Sequence, residues 1–183
     1  MSLAWLPNCL TIIRIGLVPF VVIAIFDASY PLAFVLFFIA GLSDLLDGYL
    51  ARRFSWQSRL GSLLDPIADK LMFIAVFASL ASLAMIPWWL ALLVVLRDLI
   101  IVTGASVYNF TVAKLEGAAS LLGKLNTLVQ GLYVLAVLSA AATGYPPGWV
   151  LRVGALAVVL SVLVSGAHYV IDWSRRARQS RNL

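Results

Sequence analysis

The sequence has little charge and few of the side chains that bind soft metals. Charged residues make up 11% of its 183 positions, whereas hydrophobic residues make up 63%. There is one cysteine, Cys9, and one histidine, His168. A single cysteine excludes an intramolecular disulfide and a cysteine metal cluster. The low charge content is unlike that of soluble domains, so we expect a membrane protein.

Apolar runs of about twenty residues recur along the chain, and a helix of that length crosses a bilayer. Turn signals separate several of them, for example at Ile86-Pro87 and between Gly144 and Gly148. No basic segment precedes the first run, so we expect no cleaved signal peptide. The pattern predicts an all-α polytopic membrane protein that forms one domain over residues 1–183. Its six transmembrane helices are predicted at about 8–27, 31–53, 60–84, 87–109, 122–142 and 149–172.

Basic residues predict the orientation of these helices. They cluster in the second and fourth connections and in a polar tail over about 173–183, whereas the other connections carry almost none apart from Arg152. The positive-inside rule then places both termini in the cytoplasm. The absence of a transit peptide separately suggests a bacterial inner membrane. A basic tail beside a membrane helix typically contacts anionic headgroups, so no nucleic acid is expected as a partner.

Acidic residues are concentrated where the second and third predicted helices adjoin their connection. Four of the eight lie there, as an i,i+3 pair, Asp44 and Asp47, and an i,i+4 pair, Asp65 and Asp69. Each pair shares one helix face, and the two antiparallel helices can bring the pairs together near the cytoplasmic surface. An all-oxygen site without histidine or cysteine favours Mg²⁺ or Mn²⁺. The simpler alternative is two ion-paired helix ends with nearby basic residues as counter-ions.

The spacing of these acids is part of a longer pattern, Asp44-x2-Asp47-Gly48-x2-Ala51-Arg52-x8-Gly61-x3-Asp65-x3-Asp69. This string resembles the signature of the CDP-alcohol phosphatidyltransferase family at every fixed position. The segment from Pro7 to Arg14 also resembles the opening of bacterial members.

The resemblance implies a metal-dependent enzyme, active at the cytoplasmic side, that transfers a phosphatidyl group from CDP-diacylglycerol to an alcohol and releases CMP. The four aspartates would hold two metal ions, and Asp69 would also be the general base. The resemblance further implies a homodimer among membrane lipids. The residues that would bind the CDP-lipid are Asn8, Gly48, Ala51, Arg52 and Gly61.

The acceptor alcohol is predicted from basic and polar residues outside the signature, namely Arg59, Arg97, Lys124 and Asn126. Arg97-Asp98 is either a buried structural pair or a headgroup contact. Family members that act on glycerol 3-phosphate usually carry a second lysine where this chain has Asn126. Members that convert phosphatidylglycerol to cardiolipin resemble the chain more closely here, so phosphatidylglycerol is the preferred prediction and glycerol 3-phosphate the alternative.

Two other classes use acids in membrane helices. A membrane prenyltransferase holds a pyrophosphate with two Asp-rich motifs on well-separated helices, but no second cluster follows Asp69. A divalent-cation transporter tends to place its site at the midplane, often within repeats. The acids here are predicted near one surface, and no repeat is apparent, so both classes are disfavoured.

Overall fold

The fold comes from a computed structural model, which describes the backbone of residues 6–53, 59–111 and 121–180 and the side chains of 11–46, 68–101, 103 and 121–169. Six helices and no strand occur in these ranges, so the all-α prediction is confirmed. The first five helices begin and end within two residues of their predicted bounds. The helices are α1 (Leu6–Phe26), α2 (Tyr30–Arg53), α3 (Arg59–Ser82), α4 (Trp88–Thr111), α5 (Leu121–Thr143) and α6 (Gly148–Ser180).

The end of α6 differs from the prediction. We expected a helix to about residue 172 and a polar tail after it, but α6 continues to Ser180. The added residues are polar and basic, yet they contain no glycine or proline that would end a helix. Arginine, alanine and glutamine are good helix formers, so the helix continues past its apolar part.

Two helices end in the same kind of turn. Ala28 after α1 and Ala84 after α3 both have φ of 56°. The N–H of Ser29 donates to the carbonyl of Ala24 at 2.9 Å, and the N–H of Met85 donates to that of Leu80 at 3.0 Å. This closure is the Schellman motif, which satisfies carbonyls at a helix end and stops the helix.

One compact unit comprises Met1–Trp88 together with Val134–Pro147. In it, α1 packs against both α2 and α3. Val21 and Ile25 of α1 and Phe77 of α3 are fully buried. Phe37 of α2 meets Phe73 of α3 edge to face, with ring centroids 5.9 Å apart. The first three helices therefore share one apolar core.

A second compact unit comprises Trp89–Tyr133 together with Gly148–Leu183. Here α5 and α6 approach closely at Gly154, where an added Cβ would lie 2.9 Å from Cδ2 of Tyr133. Small residues allow such close approach between apolar helices. The division into two units does not test the predicted single domain, which stays a prediction.

The outer surface of the described helices is apolar. Large hydrophobic side chains are exposed on several of them, including Phe20 at 62%, Leu121 at 73% and Leu160 at 55%. Exposed apolar surface on this scale marks contact with lipid or with another protein. Among the residues whose side chains are described, two segments, Leu121–Thr143 and Gly148–Tyr169, are long and apolar enough to cross a membrane, while Thr11–Phe26 and Tyr30–Leu46 are shorter apolar stretches.

The close approach at Gly154 predicts a position-dependent response to alanine. Alanine favours a helix by up to about 1 kcal/mol over glycine, but at position 154 the added methyl would meet the ring of Tyr133. We expect Gly154→Ala to lower the melting temperature of the purified protein by several degrees. In the matched control Gly166→Ala, the nearest atom is Cγ of Arg97 at an ordinary 3.9 Å, and melting should be unchanged or higher. Equal melting of the two variants would contradict this packing.

Candidate active site

A buried arginine lies between two of the predicted metal-binding acids. Nη1 of Arg14, on α1, is 2.7 Å from Oδ1 of Asp44 and 2.9 Å from Oδ1 of Asp69. Because both oxygens contact the same nitrogen, they are less than about 6 Å apart. One acid of each predicted pair is therefore brought to a common centre, which joins α1, α2 and α3.

The surroundings explain why this centre forms. Arg14 is the only charged residue in α1, and its side chain is 2% exposed. A buried charge is costly unless it is paired and hydrogen-bonded, so the guanidinium requires carboxylates. Asp44 and Asp69 are 36% and 33% exposed. Their partial exposure leaves room for a ligand to reach the acids.

The donor set fits a hard divalent cation. Carboxylate oxygens are the ligands that Mg²⁺ and Mn²⁺ prefer, and two carboxylates here already face one positive group, the guanidinium of Arg14. Asp47 lies on α2 about one turn after Asp44, and Asp65 lies on α3 about one turn before Asp69. Among the residues whose side chains are described, no three acids, histidines or cysteines cluster.

Many predicted site residues have side chains outside the described part of the structure. For these residues, their helix is known but their contacts are not, so their roles stay predictions. They are Asn8 in α1, Asp47, Gly48, Ala51 and Arg52 in α2, and Arg59, Gly61 and Asp65 in α3.

Arg97 belongs to a second polar cluster, within the unit that contains α4 and α6. Its Nη1 donates to Oδ1 of Asp98 at 2.7 Å, and its Nη2 donates to Oγ of Ser165 on α6. The guanidinium carbon lies 5.9 Å from the ring centroid of Tyr169. The side chains of Arg97 and Asp98 are each 11% exposed. The predicted alternative of a buried structural pair is thus present, and a headgroup contact remains compatible with it.

The two α5 residues predicted to bind the acceptor differ in environment. Lys124 is exposed near the start of the helix, whereas Asn126 is 1% exposed. Oδ1 of Asn126 lies 3.0 Å from Oγ of Ser161 on α6. Gln130, one turn further along α5, is 2% exposed. Position 126 is therefore an interior position, while Lys124 is open to solvent or headgroups.

Sequence reasoning missed Arg14, Gln130 and the two serines of α6 as members of these clusters. Arg14 carried a signal, because a lone charge in an apolar helix needs a partner or a purpose. Gln130 carried a weaker signal of the same kind, as a polar side chain within the apolar helix α5. Ser161 and Ser165 could not be found this way, because single serines are common in apolar helices and satisfy themselves on their own backbone.

The described helices expose many apolar side chains, and at the centre a buried arginine pairs with two partly exposed carboxylates. Residues 4–166 match the sequence model of the CDP-alcohol phosphatidyltransferase family. The match covers most of the chain, and the chain belongs to this family.

Named relatives include both predicted groups. The cardiolipin synthase (CMP-forming) of Homo sapiens is 34% identical over 156 residues, which cover 76% of this chain and 52% of that protein. The probable phosphatidylglycerophosphate synthase of Mycobacterium tuberculosis is 33% identical over 184 residues, covering 92% and 81%. The CDP-diacylglycerol--glycerol-3-phosphate 3-phosphatidyltransferase of Bacillus subtilis is 33% identical over 148 residues, covering 73% and 76%. The chain spans about half the length of the human and rat cardiolipin synthases.

From the position of Arg14 we predict that replacing this residue makes the thermal stability of the protein depend on divalent cations. In Arg14→Gln, Asp44 and Asp69 lose their shared counter-ion and repel each other. Because the acids are about a third exposed, we expect a loss of about 1–2 kcal/mol rather than the larger cost of a fully buried pair. Mg²⁺ should restore much of the melting temperature in this variant and change the wild type less, as measured by thermal unfolding with chelator or with Mg²⁺.

Arg152→Gln is the control for that experiment, because it removes the same charge from an exposed position on α6. Its melting temperature should match the wild type with and without Mg²⁺. An Arg14→Gln variant that melts like the wild type in chelator would show that the centre does not depend on this arginine.

Proposed function

We propose that the protein transfers a phosphatidyl group from CDP-diacylglycerol to the hydroxyl of an alcohol, with release of CMP. The observation that carries this proposal is the convergence of Asp44 and Asp69 at Arg14. It brings together one acid from each half of the family signature, on two different helices. Membership of the family supplies the reaction class.

The proposed chemistry is the one that membership of the family implies. The acceptor oxygen attacks the phosphorus nearest the lipid, the bond from that phosphorus to the CMP oxygen breaks, and the hydroxyl proton moves to a carboxylate. We assign the role of proton acceptor to Asp69, which is partly exposed and close to Asp44. Transfer of this kind depends on positioning and charge neutralisation more than on covalent catalysis.

The cofactor that we propose is a pair of Mg²⁺ or Mn²⁺ ions. Four aspartates would hold them: Asp44, Asp47, Asp65 and Asp69. When bound, the ions would neutralise phosphate charge and orient the reacting groups. The CDP-lipid would lie against Asn8, Gly48, Ala51, Arg52 and Gly61, where small residues allow a bulky anion to approach the helix backbone.

Phosphatidylglycerol is the acceptor we propose, which makes cardiolipin the product. Asn126 supports this choice, because it is neutral and 1% exposed where glycerol 3-phosphate enzymes usually carry lysine. A buried lysine is costly unless a strong anion pairs with it, and phosphatidylglycerol carries only a single diester charge. Arg59, Arg97 and Lys124 are the basic residues proposed to contact the acceptor.

Glycerol 3-phosphate is the second candidate, and two findings favour it. The probable phosphatidylglycerophosphate synthase aligns with 92% of this chain, whereas the human cardiolipin synthase aligns with 76%. The exposed Lys124 also suits a phosphate dianion.

In the membrane, we propose six transmembrane helices with both termini and the active site at the cytoplasmic side. The exposed apolar side chains of the described helices and the basic connections support this arrangement. A bacterial inner membrane and a homodimer are part of the same proposal.

Acceptor choice is tested by CMP release from purified protein with CDP-diacylglycerol and Mg²⁺. We expect release with phosphatidylglycerol and at least tenfold less with glycerol 3-phosphate. The reverse preference would replace the proposed acceptor but keep the reaction class. Absence of release with both would contradict the proposed reaction for these acceptors.

The role of Asp69 is tested by Asp69→Asn, which keeps the size of the side chain but cannot accept the proton. We expect turnover to fall by at least about a hundredfold, the usual range for loss of a general base, while CDP-diacylglycerol binding stays measurable. Asp27→Asn is the control, since Asp27 is exposed beyond the end of α1. Strong residual turnover in Asp69→Asn would remove Asp69 from the base role.

A further inference from the structure

Two buried carboxamides lie one turn apart on α5, within the unit that also holds α4 and α6. Asn126 and Gln130 are 1% and 2% exposed. Residues at i and i+4 share a helix face, with Cβ atoms about 5–6 Å apart. The two amides therefore form a pair on one side of α5.

This pair has hydrogen-bonding capacity that the described residues do not use. Nδ2 of Asn126 and Nε2 of Gln130 are both buried, and neither has a hydrogen-bond partner in the described part of the chain. Leaving a buried donor without a partner costs about 1–3 kcal/mol. Two such groups on one face indicate that something outside the described chain supplies the missing partners.

A hydrogen bond with Ser161 does not satisfy both polar atoms of the Asn126 amide. Its Oγ is 2.9 Å from the carbonyl of Val158 and 3.0 Å from Oδ1 of Asn126, yet a hydroxyl has one proton to donate. If Ser161 donates to Val158, a rotated amide can donate to Ser161 instead. In that arrangement the amide oxygen of Asn126 takes the place of the unpartnered nitrogen. One polar atom of Asn126 stays without a partner in both arrangements.

The chemistry of the pair selects the ligand. A carboxamide is neutral and offers both a donor and an acceptor, which matches a hydroxyl better than it matches a bare anion. Nε of Arg97, also without a partner among the described residues, adds a donor from α4. Arg97 binds Ser165 of α6, one turn from Ser161, so the arginine and Asn126 contact neighbouring turns of that helix.

We propose that Asn126 and Gln130 bind the hydroxyl-bearing glycerol unit of the acceptor and that Gln130 is a specificity-determining residue. This inference rests on the proposed function. The shared ligand chemistry is a glycerol phosphate ester, which either phosphatidylglycerol or glycerol 3-phosphate supplies. A single hydrogen bond of this kind corresponds to about a tenfold change in affinity.

The test uses Gln130→Met, which removes the amide but keeps the length of the side chain. With whichever acceptor supports turnover, KM for the acceptor should rise about tenfold, while KM for CDP-diacylglycerol changes less than twofold. The melting temperature without acceptor should be equal or higher, because an unsatisfied buried amide has been replaced by an apolar group. Ser79→Ala is the control: Ser79 is 4% exposed, and its hydroxyl donates to the carbonyl of Ala75 in its own helix.

An acceptor that lacks the secondary hydroxyl sharpens the test. Phosphatidyl-1,3-propanediol replaces phosphatidylglycerol, and 3-hydroxypropyl phosphate replaces glycerol 3-phosphate. The wild type should bind the analogue about tenfold more weakly than the natural acceptor, and Gln130→Met should bind both equally. An unchanged acceptor KM in Gln130→Met, a clear loss of stability, or equal discrimination in both proteins would overturn the proposal.

Failure of the proposed function gives a different result. If the wild type releases no CMP with either acceptor, the site is judged by binding alone. Phosphatidylglycerol or glycerol 3-phosphate should then still raise the melting temperature of the wild type but not that of Gln130→Met. No shift in the wild type, or the same shift in both proteins, would overturn the site as well.

Discussion

The charge of Arg14 is the constraint on which the first three helices depend. An arginine in an apolar helix stays charged, so its environment must supply negative partners. Asp44 from α2 and Asp69 from α3 meet this demand at a single nitrogen. Apolar packing of Val21, Ile25 and Phe77 accounts for contact among these helices, but it is not directional. The ion pairs define which positions along the helices must meet, and they hold two acids together that would otherwise repel.

In the second unit, buried charged and buried neutral side chains differ in how fully they are hydrogen-bonded. Arg97 is paired with Asp98 and Ser165, as a buried charge must be. Asn126 and Gln130 are neutral, and an unsatisfied amide costs far less than an unpaired charge. A neutral pair can therefore remain partly unsatisfied without unfolding the protein, and a ligand that supplied the missing hydrogen bonds would bind more tightly for that reason. The proposed binding capacity of this unit therefore resides mainly in neutral side chains, with Nε of Arg97 as an additional donor.

The sequence predicts most of the helical layout and part of the site. Helix lengths follow from apolar runs and turn residues, and the facing of Asp44 and Asp69 follows from helical spacing within an antiparallel pair. The partnership of Arg14 with acids 30 and 55 residues away does not follow, because no local periodicity encodes a contact between distant helices. The predicted end of α6 was wrong because the end of an apolar run marks where a membrane helix leaves the bilayer, not where its backbone hydrogen bonding stops.

Formal charge explains why Arg14 and a metal site are compatible rather than competing. Four ionised aspartates with one guanidinium remain strongly negative, so the arginine alone cannot neutralise the predicted cluster. Two divalent cations would convert that cluster to one net positive charge. A positive site attracts the doubly charged pyrophosphate of a CDP-lipid, whereas the four acids and two cations alone would be neutral; Arg52 of the proposed lipid pocket would add a further positive charge. In the proposed site Arg14 would thus contribute twice, because it brings Asp44 and Asp69 together and would leave the cluster with two bound ions positive.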